Sequence, residues 1–502
     1  MSHARQIVVL GATGDLMRRK LIPALTRLAQ DHEFDLVGVA RSEHADDAFR
    51  QQLAEALPEP DRKTFEALAD RISYQPIDVR DGDSFQALRD RLDELSPGDR
   101  TGRLFYLALG PSLFEDAVSG LADAGLLAMP EAEKTAWRRV AFEKPFGEDE
   151  QSARDLNRHL HRFLREDQIY RVDHYLAKET VQNLLGFRFH NTIFEPIWNR
   201  NHVELVQITV AEDIGVEPGR AAFYDATGAL RDLVQNHMLQ ILALIAMEPP
   251  PTLEAEAVRE QKVALLRGLR SLEPSEVREQ CVRARYSAGE RDGERVAGYL
   301  AVEGIPADSE TETYVALRAE IANWRWAGVP FLLRHGKALA KRFTEVEIQF
   351  RTPPLQLFNR PVDMDDAEYR RRLREGTLCR IRPNRLSLRL QPGEAIGISF
   401  GVKEPGPTMQ MSPAELSFDY REHFGEPPPD AYQRLLLDAL RGDPTLFLRG
   451  DEVEAAWRFI DSVRAGWQGP DAPPLLEYGA GSWGPEEADS LIRDCEGEWS
   501  RG

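Results

Sequence analysis

The run Arg171-Val172-Asp173-His174-Tyr175-Leu176-Ala177-Lys178 places two basic side chains, a carboxylate, an imidazole and a phenol in eight positions. A solvated helix can be that polar without any role, so the cluster's chemistry depends on what it faces. One candidate lies further on. Leu230-Arg231-Asp232-Leu233-Val234-Gln235-Asn236-His237-Met238-Leu239-Gln240 reads as a helix. Its apolar stripe uses Leu230, Leu233, Val234, Ile241, Leu244 and Ile245, and His237 falls on that stripe. A histidine there is either a satisfied core residue or a base aimed into a cleft. The polar neighbours Asp232, Gln235 and Asn236 weigh towards the base, and Asp173 is an available carboxylate partner.

These residue types suit an alcohol dehydrogenation without a metal. Oxidising a C–OH group requires removal of the hydroxyl proton as hydride leaves, and neutral imidazole does this near neutral pH. A carboxylate on the other ring nitrogen fixes the tautomer and stabilises the imidazolium. No close set of His, Cys and carboxylates has zinc spacing, so no metal is expected. Arg171, His174 and Lys178 concentrate positive charge that an anionic ligand would offset. His174, Tyr175 and Lys178 can hold a phosphate through charge-assisted hydrogen bonds. Gly336-Lys337-Ala338-Leu339-Ala340-Lys341-Arg342 supplies a second basic group, and Glu212-Asp213 can accept from sugar hydroxyls. Each of these is otherwise a solvated side chain.

The elements that must position these groups begin with Ile7–Leu10, a short β-branched strand. Gly11, Ala12, Thr13, Gly14, Asp15 and Leu16 follow, then a helical pattern of Leu21, Leu25 and Leu28. Strand, glycine turn and helix open a dinucleotide-binding unit. Gly11 and Gly14 let the backbone approach a pyrophosphate, held by free N–H groups at the helix start. A third glycine is missing, so an ordinary strand–helix turn stays open as an alternative. The next strand, Leu36–Ala40, ends at Arg41-Ser42, where a NAD site has an acid. Arginine suits a 2′-phosphate and favours NADP, the alternative being a plain surface residue. Ile72–Val79, Leu104–Leu109 and Arg139–Phe142 continue a parallel sheet. Ser112 is expected to cap the helix after Gly110-Pro111, with Glu115 three residues on. Lys144 stands just beyond a strand's carboxyl end, where open α/β sheets hold ligands. A polar helix over Asp149–Arg165 comes next.

From Val203 the pattern changes to successive strands: Val203–Val210, Val282–Tyr286, Val296–Val302, Thr313–Ile321, Glu345–Phe350, Leu378–Ile381, Ser387–Leu390 and Ala395–Gly401. The expected fold is an α/β Rossmann-like coenzyme domain over residues 1–180 and a larger α+β domain over 181–502. The second has a many-stranded, mostly antiparallel sheet, with helices largely from Asp225–Met247 and Ala431–Leu440. An open sheet face invites dimerisation. The Pro/Gly-rich tail Gln468–Pro485 is expected along the surface. A net charge of −20 over 502 residues argues against nucleic acid or an anionic membrane as partner. Cys281, Cys379 and Cys495 are too few and too scattered for a disulfide framework. With no leader-like or membrane-spanning run, they point to the cytoplasm.

Taken together, GATGDLMRRK, EKPFG, RVDHYLAKETVQNLL, FEPIWNR, GALRDLVQNHMLQ, GKAL and GSWGP resemble the glucose-6-phosphate dehydrogenase family over essentially the whole chain. The resemblance implies oxidation of C1 of β-D-glucose 6-phosphate to 6-phospho-D-glucono-1,5-lactone with NADP⁺, the first step of the oxidative pentose phosphate route. It implies a homodimer or homotetramer. It also implies His237 as general base with Asp173 as its partner. His174, Tyr175 and Lys178 would form the phosphate site, with Lys337 or Arg342 nearby, and Glu212 and Asp232 would bind sugar hydroxyls. Lys144 would contact both sugar and coenzyme, and Pro145 would shape the gap between domains. Thr13, Arg41 and Ser42 would meet the coenzyme's phosphates.

Two stretches depart from the family's pattern. Gly110 stands where a proline is usual, which predicts a looser coenzyme-side turn and a higher coenzyme KM. Gly215–Tyr224 carries one extra residue, Pro218, and Ala222 where glycine is common, which puts sugar selectivity in question. The rival readings are another sugar or sugar-phosphate dehydrogenase of the same plan and a non-catalytic NADP-binding dimer. The presence of both Asp173 and His237 weighs against the second.

Overall fold

The computed structural model describes residues 5–96, 101–128, 136–354, 364–374, 382–407, 411–425, 430–469, 471–493 and 498–501. The chain divides into two units. The first is Met1–Gln182 with Met247–Leu266 and Pro428–Arg458, and the second is Asn183–Ala246, Arg267–Pro427 and Phe459–Gly502. Two segments from beyond residue 180 thus return to pack with the first unit. The helix Ala431–Arg441, expected among the helices of the second domain, belongs to the first unit.

The first unit holds a seven-stranded sheet. Its order is Phe447–Leu448, Ile169–Val172, Arg138–Phe142, Gly102–Leu107, Arg5–Leu10, Asp35–Ala40, Ile72–Pro76. All pairs are parallel except the edge strand Phe447–Leu448, supplied by a returning segment. Ile7–Leu10 and Leu104–Leu107 are buried on both faces, as the middle of a parallel sheet requires. Strand order reverses between Arg5–Leu10 and Gly102–Leu107, the switch point at which such sheets bind ligands. Ser112 is not a cap: a 3-10 turn, Pro111–Leu113, leads into the helix Phe114–Asp123 without a side-chain cap. The helix Glu150–Leu160 does start on a capping box, in which Asp149 Oδ1 accepts from Ser152 N at 2.7 Å and Ser152 Oγ accepts from Asp149 N at 3.1 Å.

Arg171 has a structural role in place of the expected ligand-facing one. Buried on the strand Ile169–Val172, it donates to Glu166 Oε1 at 2.6 Å and Asn157 Oδ1 at 2.8 Å. Glu166 Oε1 also accepts from Arg259 at 3.3 Å and Gly450 N at 3.0 Å, which ties both returning segments to the sheet. A buried guanidinium must be paired in this way or carry a large desolvation cost.

The second unit holds a nine-stranded sheet. Its order is Met411–Asp419, Ala395–Lys403, Arg385–Gln391, Phe343–Phe350, Val203–Ala211, Phe331–Gly336, Tyr314–Ala319, Cys281–Ser287, Leu475–Gly479. It is antiparallel except where Phe331–Gly336 joins Val203–Ala211 and where Leu475–Gly479 joins Cys281–Ser287. The Pro/Gly-rich tail thus contributes an edge strand and does not merely lie on the surface, and Tyr478 within it is buried. Met411–Asp419 is also an edge strand, the position that tolerates Pro413. Val296–Val302 is not a strand. It is the end of a small hairpin, Gly289–Arg291 with Glu294–Val296, followed by a 3-10 turn at Tyr299–Ala301. Leu378–Ile381, Cys379 and Cys495 lie outside the described residues. Cys281 is buried, and burial pushes its thiol up to about 12, so it is no nucleophile. Among the described residues no helix is long and apolar enough to cross a membrane.

Candidate active site

In the first unit the glycine turn is fixed by contact. Gly11 has φ +91°, and a Cβ there would lie 2.2 Å from the Ala108 carbonyl oxygen on the neighbouring strand. Only glycine fits such an approach. The N–H groups of Gly11 and Ala12 both donate to Val39 O, at 2.8 and 3.0 Å, and Gly14 N donates to Gly11 O at 3.0 Å. Those three amides are spent on the turn itself. The anion-binding donors are therefore those of the first helical turn, from Asp15 and Leu16 onward, because first-turn amides have no partner within a helix. Arg41 and Ser42 are exposed beyond the strand Asp35–Ala40. Tyr74, unnoticed in the sequence, pins that strand end by donating to Ser42 O at 2.5 Å and Ala40 O at 3.2 Å. Among the described residues no carboxylate pairs with Arg41. The turn and strand end fit a dinucleotide with a charged ribose substituent. Gly11→Ala is expected to raise the coenzyme KM at least about tenfold, because the turn must open to clear the carbonyl. Steady-state kinetics at saturating sugar phosphate measures it.

Gly110, where a proline was expected, has φ −67° and ψ 147°, and a Cβ there would meet nothing within 4 Å. It already adopts the conformation proline favours, so the turn is not looser in its folded geometry.

Lys144 lies two residues beyond the strand Arg138–Phe142, with a half-buried Glu143 before it. Burial raises the Glu143 carboxyl, opposed by hydrogen bonds from Tyr106, at 2.6 Å, and from Tyr432. Tyr432 also stacks on His174, with ring centroids 6.2 Å apart and planes 13° from parallel. It arrives on the returning segment, and nothing local in the sequence signals it. Asp173 is buried and its Oδ1 accepts from Tyr175 N at 2.9 Å, fixing the turn out of the strand. Lys178 Nζ sits 3.8 Å over the Tyr175 ring. His174, Tyr175, Lys178 and Lys144 thus belong to one unit and flank the same strand ends.

In the second unit the stretch read as an ordinary helix is π-helical over Leu230–Met238 and becomes α-helical at Leu239–Ala246. Widened turns of this kind are frequent at functional sites. The 3.6-residue stripe does not describe this segment, in which every residue from Asp232 to Met238 is buried. Asn236 Nδ2 donates to Asp232 O at 3.0 Å and its Oδ1 accepts from His237 N at 2.6 Å. Glu212 follows the strand Val203–Ala211 and is 2.5 Å from Lys337 Nζ. Burial raises the Glu212 carboxyl, but the Lys337 ammonium beside it outweighs that and holds the group below the usual carboxylate range. It is therefore an ionised acceptor at neutral pH. Ala338, with φ +49°, turns the chain after Lys337, and its amide donates to Ile214 O at 3.1 Å. Arg342 is exposed, and among the described residues it is Lys337 that meets Glu212.

His335, hidden in a wholly buried strand, was not anticipated. Its Nδ1 lies 2.8 Å from Val210 O, and burial keeps the imidazole neutral. Pro218 lies on an exposed 3-10 turn, Pro218–Arg220, and Ala222 is exposed in the helix Ala221–Ala229 that follows.

A parallel sheet with a glycine turn at its switch point, and a second unit carrying a buried histidine, carboxylates and a lysine, define a two-domain nucleotide-dependent oxidoreductase. Residues 8–183 match the family model described as glucose-6-phosphate dehydrogenase, NAD binding domain, and residues 185–500 match its C-terminal domain. The chain belongs to the glucose-6-phosphate dehydrogenase family. It is 43% identical to the glucose-6-phosphate 1-dehydrogenase of Aggregatibacter actinomycetemcomitans, over 99% of this chain and 97% of that protein. It is 41% identical to that of Rhizobium meliloti over 98% and 97%. A solved glucose-6-phosphate dehydrogenase in complex with glucose 6-phosphate superposes with a TM-score of 0.87 at 32% identity, covering all of both chains. The Mycobacterium avium enzyme gives 0.80 at 37%, covering 99% of each.

Proposed function

We infer that the chain oxidises β-D-glucose 6-phosphate at C1 to 6-phospho-D-glucono-1,5-lactone with NADP⁺. The observation that carries this reading is the buried polar set in the second unit, His237 and Asp232 on one π-helical segment with the ionised Glu212–Lys337 pair. His237 takes the proton from the C1 hydroxyl, and Asp173 holds its imidazole in the competent tautomer. Glu212 and Asp232 accept from sugar hydroxyls, and Lys337 holds Glu212 in its ionised form. His174, Tyr175 and Lys178 hold the phosphate, and Lys144 reaches both sugar and coenzyme. NADP⁺, when bound, supplies the hydride acceptor. The turn Gly11 to Leu16 would let its pyrophosphate approach, with the amides from Asp15 and Leu16 onward as donors, and Arg41 with Ser42 would hold its 2′-phosphate. Following the absorbance of reduced coenzyme across a panel of sugar phosphates with both coenzymes tests the reading, and no preference for glucose 6-phosphate would sink it.

Arg41→Ala is expected to lower kcat/KM for NADP⁺ relative to NAD⁺ by about tenfold, the value of one exposed charge-assisted contact. An unchanged ratio removes Arg41 from the site. The chain acts in the cytoplasm as a homodimer or homotetramer through the nine-stranded sheet. The outer strands Ala395–Lys403 and Met411–Asp419 support this, leaving Val402 and Leu416 exposed. Sedimentation at micromolar concentration distinguishes these states from a monomer.

A further inference from the structure

The π-helical segment Leu230–Met238 begins abruptly. Gly228, at φ +69° and ψ 174°, breaks the preceding helix Ala221–Ala229 just before it. A helix start leaves amides without intrahelical partners, and here they are buried. Glu312 receives two of them: Leu230 N donates to its side-chain Oε1 at 2.9 Å, and Ala229 N donates to its backbone carbonyl at 3.1 Å. The fit depends on Gly228. A Cβ there would lie 2.5 Å from Glu312 Oε1 and 2.7 Å from Oε2. The residues before Glu312 reinforce the grip, with Thr311 Oγ1 donating to Asp225 O at 2.7 Å and Ser309 Oγ donating to Asp225 Oδ1. Burial raises the Glu312 carboxyl, and the Leu230 amide, Arg231 and Arg283 oppose that rise.

The next residue extends the connection to the other half of this unit's polar set. Thr313 O accepts from Lys337 N at 3.0 Å, and Tyr478 OH, 3.1 Å from Thr313 Oγ1, donates to Lys337 O at 2.6 Å. Two consecutive residues at the entrance of the strand Tyr314–Ala319 therefore fix both the start of the His237 segment and the backbone of Lys337. We propose that Glu312 is a positioning residue for catalysis, clamping the start of the π-helix so that His237 and Asp232 keep register with the Glu212–Lys337 pair. The proposal rests on His237 being the general base.

A residue that only stabilised the fold would, when replaced, lower the melting temperature and leave the kcat of folded enzyme intact. A positioning residue lowers kcat itself. Glu312→Ala is expected to lower kcat more than tenfold well below its melting temperature, with KM for glucose 6-phosphate changed less than threefold. Glu312→Gln, which keeps an acceptor for Leu230 N, is expected to stay within threefold of the parent. In a His237→Asn background Glu312→Ala is expected to have no further effect on kcat. Parental kcat in folded Glu312→Ala, or equal losses in the Ala and Gln variants, overturns the clamp. Should the Ala variant not fold, Glu312→Asp withdraws the acceptor by one methylene. A fivefold or greater loss of kcat then supports the clamp and parental kcat overturns it. If His237→Asn alone retains parental kcat, the base assignment fails, and that outcome is separate from failure of the clamp.

Discussion

Replacing His237 by Asn is expected to lower kcat by about 10²–10⁴-fold while the KM for glucose 6-phosphate stays within a few-fold, the range for loss of a general base. Asparagine keeps a polar group of similar size in a buried site, so neither a cavity nor an unsatisfied hydrophobic pocket is created. It cannot take up a proton near neutral pH. The backbone geometry should survive, because the amide of residue 237 still donates to Asn236 Oδ1 and the segment remains held at its start. The residues proposed to hold the phosphate are unchanged in this variant, so ground-state binding is expected to change little. Loss in kcat without loss in binding is the signature of an interaction made only in the transition state. The acid limb of kcat against pH should also disappear, since the group whose protonation causes it is gone. Steady-state kinetics from pH 5 to 9 (about the range in which histidine titrates) checks both. A kcat within threefold of the parent would exclude His237 as the base.

How much of this was legible in the sequence differs between the units. The parallel sheet announced itself, because strands buried on both faces read as apolar runs and the glycine turn follows the first of them. Its edge did not, since Phe447–Leu448 and the helix carrying Tyr432 come from a segment that returns hundreds of residues later. Local pattern carries no record of such a return, and that is why Arg171 looked like a ligand when it is a buried tie. In the second unit most of the antiparallel strands read as strand-like runs, Met411–Asp419 excepted. Phe331–Gly336 was missed because Arg334 and His335 interrupt its apolar pattern although both are buried. The His237 segment shows the clearest limit. Its composition signals a buried helix, but π and α windings share the same residues, and only the packing around Gly228 and Glu312 distinguishes them. Residue types suggested the base and the carboxylates. Positions, such as that of Lys337 against Glu212 with Arg342 left exposed, required the fold.

The second large effect is expected at Lys178. Its ammonium lies over the Tyr175 ring at 3.8 Å, a contact that restrains a long side chain before any ligand arrives. A restrained donor loses less entropy on binding a phosphate than a freely moving one, so the interaction should be near the upper end of its range. Hydrogen bonds to charged groups contribute about 1.5–3 kcal/mol, which corresponds to a rise in KM of about 10–150-fold for Lys178→Ala. The kcat at saturation should stay within threefold, because the phosphate is at the other end of the sugar from C1, where the hydride leaves. Free glucose provides the internal control. It lacks the phosphate, so its kcat/KM should be the same in parent and variant, whereas general damage to the site would lower both substrates alike. Lys178→Arg should not restore the parent's KM fully, because a planar guanidinium cannot reproduce a point charge held on an aromatic face. If the KM for glucose 6-phosphate does not rise in Lys178→Ala, the ammonium serves only to cover Tyr175, and Lys178 is removed from the proposed phosphate site.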